Sequence, residues 1–86
     1  MNKDQKNRLQ ITIFGQQYTI VGNASSSYIR MVAGHVDEKM KQIAELNPRL
    51  DTTKIAVLTA VNIADEFFKL KQDYEELLKI LDNKKE

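Results

Sequence analysis

The sequence predicts an α+β, mostly helical fold: an N-terminal β-hairpin and helix form a small head, followed by a long C-terminal coiled-coil helix. Three observations predict it. Apolar and polar residues alternate over residues 9–21, apolar residues recur at three- and four-residue spacing from Ile29 to Ile43, and no glycine or proline follows Asp51. A period of two marks a half-buried strand, and a period near 3.6 marks an amphipathic helix.

The hairpin comes first. Leu9, Ile11 and Ile13 share one face and Gln10 and Thr12 the other; the alternation pauses at Phe14-Gly15-Gln16 and resumes with Tyr18 and Ile20 opposite Thr19. Gly15 suits a tight connection because glycine reaches positive φ without a steric penalty. Gly22-Asn23 ends the unit. Residues 1–7 ahead of it are polar and read as a flexible arm.

Ser25, Ser26 and Ser27 offer N-caps for the first helix. Ile29, Val32, Ala33, Val36, Met40 and Ile43 make its apolar face, while Asp37 and Glu38 can pair with Lys41 on the outer side. Gly34, mid-helix, reads either as tolerated or as a place where another backbone comes close. Asn47-Pro48 stops the helix, because proline disfavours helical geometry in the residue before it.

Asp51 caps a second helix, with Leu50 placed to staple onto Ile55. It can run some 30 residues, or roughly 45–50 Å. Its first half, 55–68, is apolar nearly all round, which predicts burial on all sides by the hairpin, the first helix and a second subunit. Beyond it a heptad emerges, with Ala60, Phe67, Tyr74 and Leu81 at a and Ala56, Ile63, Leu70 and Leu77 at d. Leu78 at e and Ile80 at g widen the stripe, so a two-helix seam would leave them exposed and a contact between dimers is expected. The expected self-association residues are Ile63, Phe67, Leu70 and Tyr74, then Leu77, Leu78, Ile80 and Leu81. In a parallel pair, Glu66 would face Lys71 of the other chain. A single helix folding back on its own head is the alternative, but no segment remains to cover the far half. The expected divisions are therefore an arm (1–7), a ββα head (8–54), a buried first half of the long helix (55–68) and a projecting coil (69–86).

Composition limits what the chain can do. It has 86 residues, 42% of them hydrophobic and 29% charged, with a net charge of +1 and no cysteine. One small domain is the ceiling. Disulfides, thiolate metal sites and thiol nucleophiles are excluded. Nothing resembles a signal peptide, and no stretch reaches the ~18 apolar residues of a membrane span, so a soluble, cytoplasmic chain is expected. His35 is the sole histidine and makes a poor metal site by itself. The three glycines are scattered rather than gathered into a phosphate loop. No enzyme and no cofactor is expected.

Arranged this way, the residues resemble the ZapA family of bacterial cell-division proteins. The carriers are Ile11-Thr12-Ile13-Phe14-Gly15, Val32-Ala33-Gly34-His35-Val36-Asp37 and Leu58-Thr59-Ala60-Val61-Asn62-Ile63-Ala64-Asp65-Glu66. The resemblance implies a dimeric head, a dimer of dimers through the coil, and a partner, the tubulin-like division protein FtsZ, whose filaments family members cross-link at the midcell division ring. Gram-negative members carry basic residues just after Phe-Gly, where this chain has Gln16 and Thr19, so that contact does not transfer. Lys39, Lys41, Arg49, Asp51 and Lys54 are the candidate partner-binding residues, as charges on the head. A weak nucleic-acid-binding module and a generic oligomerisation subunit are the alternatives. Acidic neighbours offset most of the basic residues and no recognition-helix turn is visible, so nucleic acid and membrane are not expected as partners.

Overall fold

The computed structural model describes residues 7–83. β1 (Asn7–Ile13) and β2 (Gln16–Gly22) pair as an antiparallel hairpin; α1 (Ser26–Leu46) packs on β1, and α2 (Thr52–Asn83) packs on α1. The arm expected over residues 1–7 lies outside the described residues except for Asn7. That residue opens β1, two positions before the alternation begins, and its Nδ2 donates to the Ala24 carbonyl at 2.5 Å.

The hairpin loop is two residues rather than three. Ile13 pairs directly with Gln16, and Phe14 and Gly15 sit at φ 50° and 78°. Two positive φ values in succession give the turn whose twist matches that of the strands. For Phe14 this geometry costs roughly 1–2 kcal/mol. An acceptor from α1 holds it there: Asp37 Oδ1 takes the Phe14 N–H at 2.7 Å.

Ser25 caps α1, accepting the Tyr28 N–H at 3.2 Å. Ile29, Ala33 and Met40 are buried and, with Ile11 of β1, form the head's small core. The helix ends where Asn47 leaves helical geometry; its N–H donates to Ala44 O and its Nδ2 to Ile43 O, consuming carbonyls that proline at 48 prevents a further turn from using. Asp51 then caps α2 by accepting the Lys54 N–H at 2.9 Å.

Along α2 only Ile55 and Thr59 are buried, at 1% and 3% exposure. The Thr59 hydroxyl satisfies itself on the Ile55 carbonyl one turn back, at 2.8 Å, which is how a polar residue occupies this seam. The sequence places the hairpin against the first half of α2, and here the structure differs. Among the described residues α2 makes its close helix contacts with α1 alone, and an open groove lined by Ile13, Tyr18, Ile20, Met40, Ala56 and Val57 separates it from the hairpin. The reason is geometric: α1 takes the β1 side of the sheet face, and the turn at 47–51 returns α2 along a different flank of α1.

The outcome is flat and open. The chain spans 54 × 46 × 15 Å with a radius of gyration of 17.6 Å, where a compact chain of this length would have about 12 Å. Among the described residues five apolar side chains are buried, a core too small for this length of chain, and burial against another molecule is the usual remedy.

Candidate self-association site

Each residue of an α-helix advances about 100° around the axis. Ile55, Thr59 and Glu66 therefore share the flank of α2 turned to α1. The a and d positions Ala56, Ala60, Ile63 and Phe67 form a stripe about a quarter-turn away, which drifts back toward that flank by about 20° per heptad. That stripe opens as a groove between α1 and α2, lined by Val36, Met40, Ala56, Ala60, Ile63 and Phe67 with almost no polar surface. Beyond the contact of His35 and Lys39 with Glu66 it continues without cover. Phe67, Leu70, Tyr74 and Leu77 are 53–69% exposed, and Leu78, Ile80 and Leu81 are 44–53% exposed. Ile63 alone of the expected interface residues is half-buried, beside α1. Phe67 and Phe68 stack edge-to-face at 5.1 Å, and both rings stay more than half exposed.

Charged residues clamp the two helices together at the groove's edge. Lys39 of α1 pairs with Glu66 of α2, and His35 Nε2 lies 3.7 Å from the same carboxylate. The Lys39 hydrogen bond holds the Glu66 carboxyl below its ordinary range, outweighing the opposing effect of desolvation, with His35 adding to it. Glu66 thus has an intrachain partner that competes with the expected pairing to Lys71 of another chain.

The five candidate partner-binding residues separate into two groups. Lys39 is taken by Glu66, and Lys41 pairs with Asp37 at 3.0 Å. Arg49, Asp51 and Lys54 lie together at the α1–α2 junction, all exposed, with Asp51 serving as the cap. Sequence reasoning missed the Asp37–Phe14 bond and the Lys39–Glu66 clamp. Their separations of 23 and 27 residues carry no local periodic signal. At Gly34 an added Cβ would meet nothing within 4 Å, so the close backbone approach considered for it does not occur among the described residues. Among the described residues no cluster of three or more His, Cys, Asp or Glu is placed to hold a metal, and no helix is long and apolar enough to cross a membrane.

A small α+β head on a long helix, with an apolar stripe its own chain leaves open, defines a class of protein completed by self-association. Comparison with known proteins gives the family. The family profile described as Cell division protein ZapA matches residues 9–86. A Cell division protein ZapA from Geobacillus sp. (strain WCH70) is 54% identical over 86 residues, covering 100% of this chain and 99% of that protein. One from Bacillus thuringiensis (strain Al Hakam) is 51% identical over 75 residues, or 87% of this chain and 84% of that protein. Among solved structures, a ZapA mutant dimer from Geobacillus stearothermophilus superposes with a TM-score of 0.72 at 49% identity, covering 94% of each chain. The chain belongs to the ZapA family of cell-division proteins. That family is not one of enzymes, and the dimeric relative supports self-association here.

Proposed function

We propose that the protein is a non-enzymatic cross-linker of the division apparatus: it binds FtsZ filaments through its head and joins them by self-association of α2, in the cytoplasm at the midcell ring. FtsZ enters through the family resemblance. The single observation that carries the bridging role is the uncovered stripe from Phe67 to Leu81 on a helix extending about 48 Å. In this reading dimers form along the groove and the first heptads, and Leu77, Leu78, Ile80 and Leu81 join dimers into a tetramer. Two heads on one rod hold two filaments, the second engagement gaining from high effective concentration. Filament contact is assigned to the α1–α2 junction, with Arg49 and Lys54 as the available charges and Lys39, Lys41 and Asp51 shaping the surface behind them. Pairing of Lys39 and Lys41 within the chain also lowers the free basic charge that nucleic-acid binding would need.

The test is the double variant Leu77→Glu/Ile80→Glu, because carboxylates are costly to bury in that seam. Sedimentation should show a folded dimer in place of a tetramer. Pelleting should show that it still associates with FtsZ polymer, and light scattering with electron microscopy should show much weaker bundling. Undiminished bundling by a confirmed dimer would move cross-linking to the head.

A further inference from the structure

The hairpin has a second open feature, on the side of α1 away from the apolar groove. Ile13–Gln16 closes the two-residue loop, so alternation makes Ile11–Tyr18 and Leu9–Ile20 the bonded pairs of the ladder. The backbone N–H and C=O groups of Arg8, Gln10 and Thr12 therefore point away from β2. Among the described residues nothing pairs with them, because the sheet has two strands and β1 is an edge. All three residues are exposed.

α1 runs beside this edge and leaves an open groove of about 280 Å³ walled by Gln10 and Thr12 on one side and by Arg30, Gly34 and Asp37 on the other. Arg30, Gly34, Asp37 and Lys41 form one stripe of α1. The 100° advance per residue sets Gly34 about 160° from Val36, which lines the apolar groove. Self-association along the apolar groove therefore leaves this side free. Gly34 gives the groove its depth: it is exposed, and a Cβ there would meet nothing within 4 Å.

The charges decide what fits. Asp37 is engaged from two directions: it accepts the Phe14 N–H at 2.7 Å, and Lys41 at 3.0 Å supplies its counter-charge. Arg30 projects into the groove with no counter-charge among the described residues, and Arg8 lies at one end of the open edge. Around the groove Arg8, Arg30 and Lys41 outnumber Asp37 and Glu38 by one charge. An exposed strand edge beside a helix accepts an extended segment by strand addition, where main-chain hydrogen bonds give affinity and alternate side chains give specificity.

We propose that the β1 edge and the Arg30–Gly34 stripe of α1 form a docking groove for an extended acidic segment of a partner protein, which adds a third strand alongside Arg8, Gln10 and Thr12 and sets a carboxylate against Arg30. This goes beyond filament cross-linking through α2 and does not depend on it.

The experiment is a titration of the full-length ¹⁵N-labelled protein with a blocked octapeptide of alternating threonine and glutamate, and with its threonine–lysine counterpart. The amides of Arg8, Gln10 and Thr12 should shift saturably and gain at least tenfold exchange protection with the glutamate peptide. The lysine peptide should bind at least tenfold more weakly. Gly34→Leu fills the groove at a helical site where leucine is a better helix former than glycine; Arg30→Glu reverses the charge. Each should weaken binding at least tenfold with the far-UV spectrum and sedimentation mass unchanged. Gln10→Pro, which removes an outward N–H at an edge-strand position that tolerates proline and leaves the β1–β2 ladder donors in place, is the substitute should Gly34→Leu alter the fold. Shifts on the β2 edge at Gln17, Thr19 and Val21, or equal binding by Gly34→Leu, would overturn the assignment. Concentration-dependent protection of Arg8, Gln10 and Thr12 without peptide would also overturn it, because a second copy would then occupy the edge.

Discussion

Asp37 Oδ1 accepts the backbone N–H of Phe14 at 2.7 Å, linking the tip of the hairpin to the middle of α1 across 23 residues of sequence. The bond forms at the one non-glycine residue with positive φ among the described residues. A strained turn is thus fixed by a helix that the turn itself did not specify. The same carboxylate takes Lys41, so a single side chain serves both the hairpin and the helix surface.

This relationship predicts a pH dependence. The Phe14 hydrogen bond, with Lys41 second, holds the Asp37 carboxyl below its ordinary value of 3.8. A group depressed in the folded state contributes stability above its unfolded pKa and loses it as pH falls through the folded one. Asp37→Asn should therefore melt lower than the parent at pH 7, and the gap should narrow once the pH falls below 3.8 and through the depressed folded-state pKa. Thermal melts at several pH values check this. A gap that persists unchanged into acid would mean that the charge contributes nothing.

The two kinds of apolar residue on α2 should fail differently. Ile55 is buried within the chain, so Ile55→Ala should cost roughly 2–5 kcal/mol. Phe67 is 57% exposed in its own chain, so Phe67→Ala should act through association, costing about 3–5 kcal/mol where a partner covers the ring. Parent melting should rise with protein concentration, and Phe67→Ala should depress the dimer population at a given concentration. Sedimentation and melts across a hundredfold concentration range decide it; a melting point independent of concentration would point to a self-sufficient monomer.

Gly15→Ala tests the turn itself. Nothing lies within 4 Å of the added Cβ, but φ is +78°, so the cost is confined to backbone geometry and should be roughly 1–2 kcal/mol. Urea unfolding should show a lower midpoint with an unchanged slope. A neutral result would show that the turn relaxes to another type.

The interhelical clamp gives a further expectation. Glu66 is depressed from its ordinary 4.5, with Lys39 the main cause, so its contribution is present above that value and lost on acidification. Glu66 is 44% exposed, and salt screens such pairs. Glu66→Gln should destabilise only modestly, and less in 1 M salt than in 50 mM. Melts at the two ionic strengths test it, and a loss that grows with salt would point away from the ion pair.

The sequence by itself determined the elements. Alternation around Ile11 and Tyr18, the caps Ser25 and Asp51, the stop at Asn47-Pro48 and the long uninterrupted run after Asp51 are local signals, set by groups within a few residues of one another. The heptad from Ala56 to Leu81 was readable for the same reason. Only the tertiary structure decided how those elements share surface: that α2 packs on α1 and stands off the hairpin, that Thr59 belongs to the buried seam, and that Lys39 and Lys41 are engaged within the chain. It also decided that Asp37 reaches Phe14. These depend on where the five-residue turn at 47–51 sends α2 and on which flank of α1 meets β1. Such distances close only after the chain folds, so they leave no periodic trace in the order of the residues.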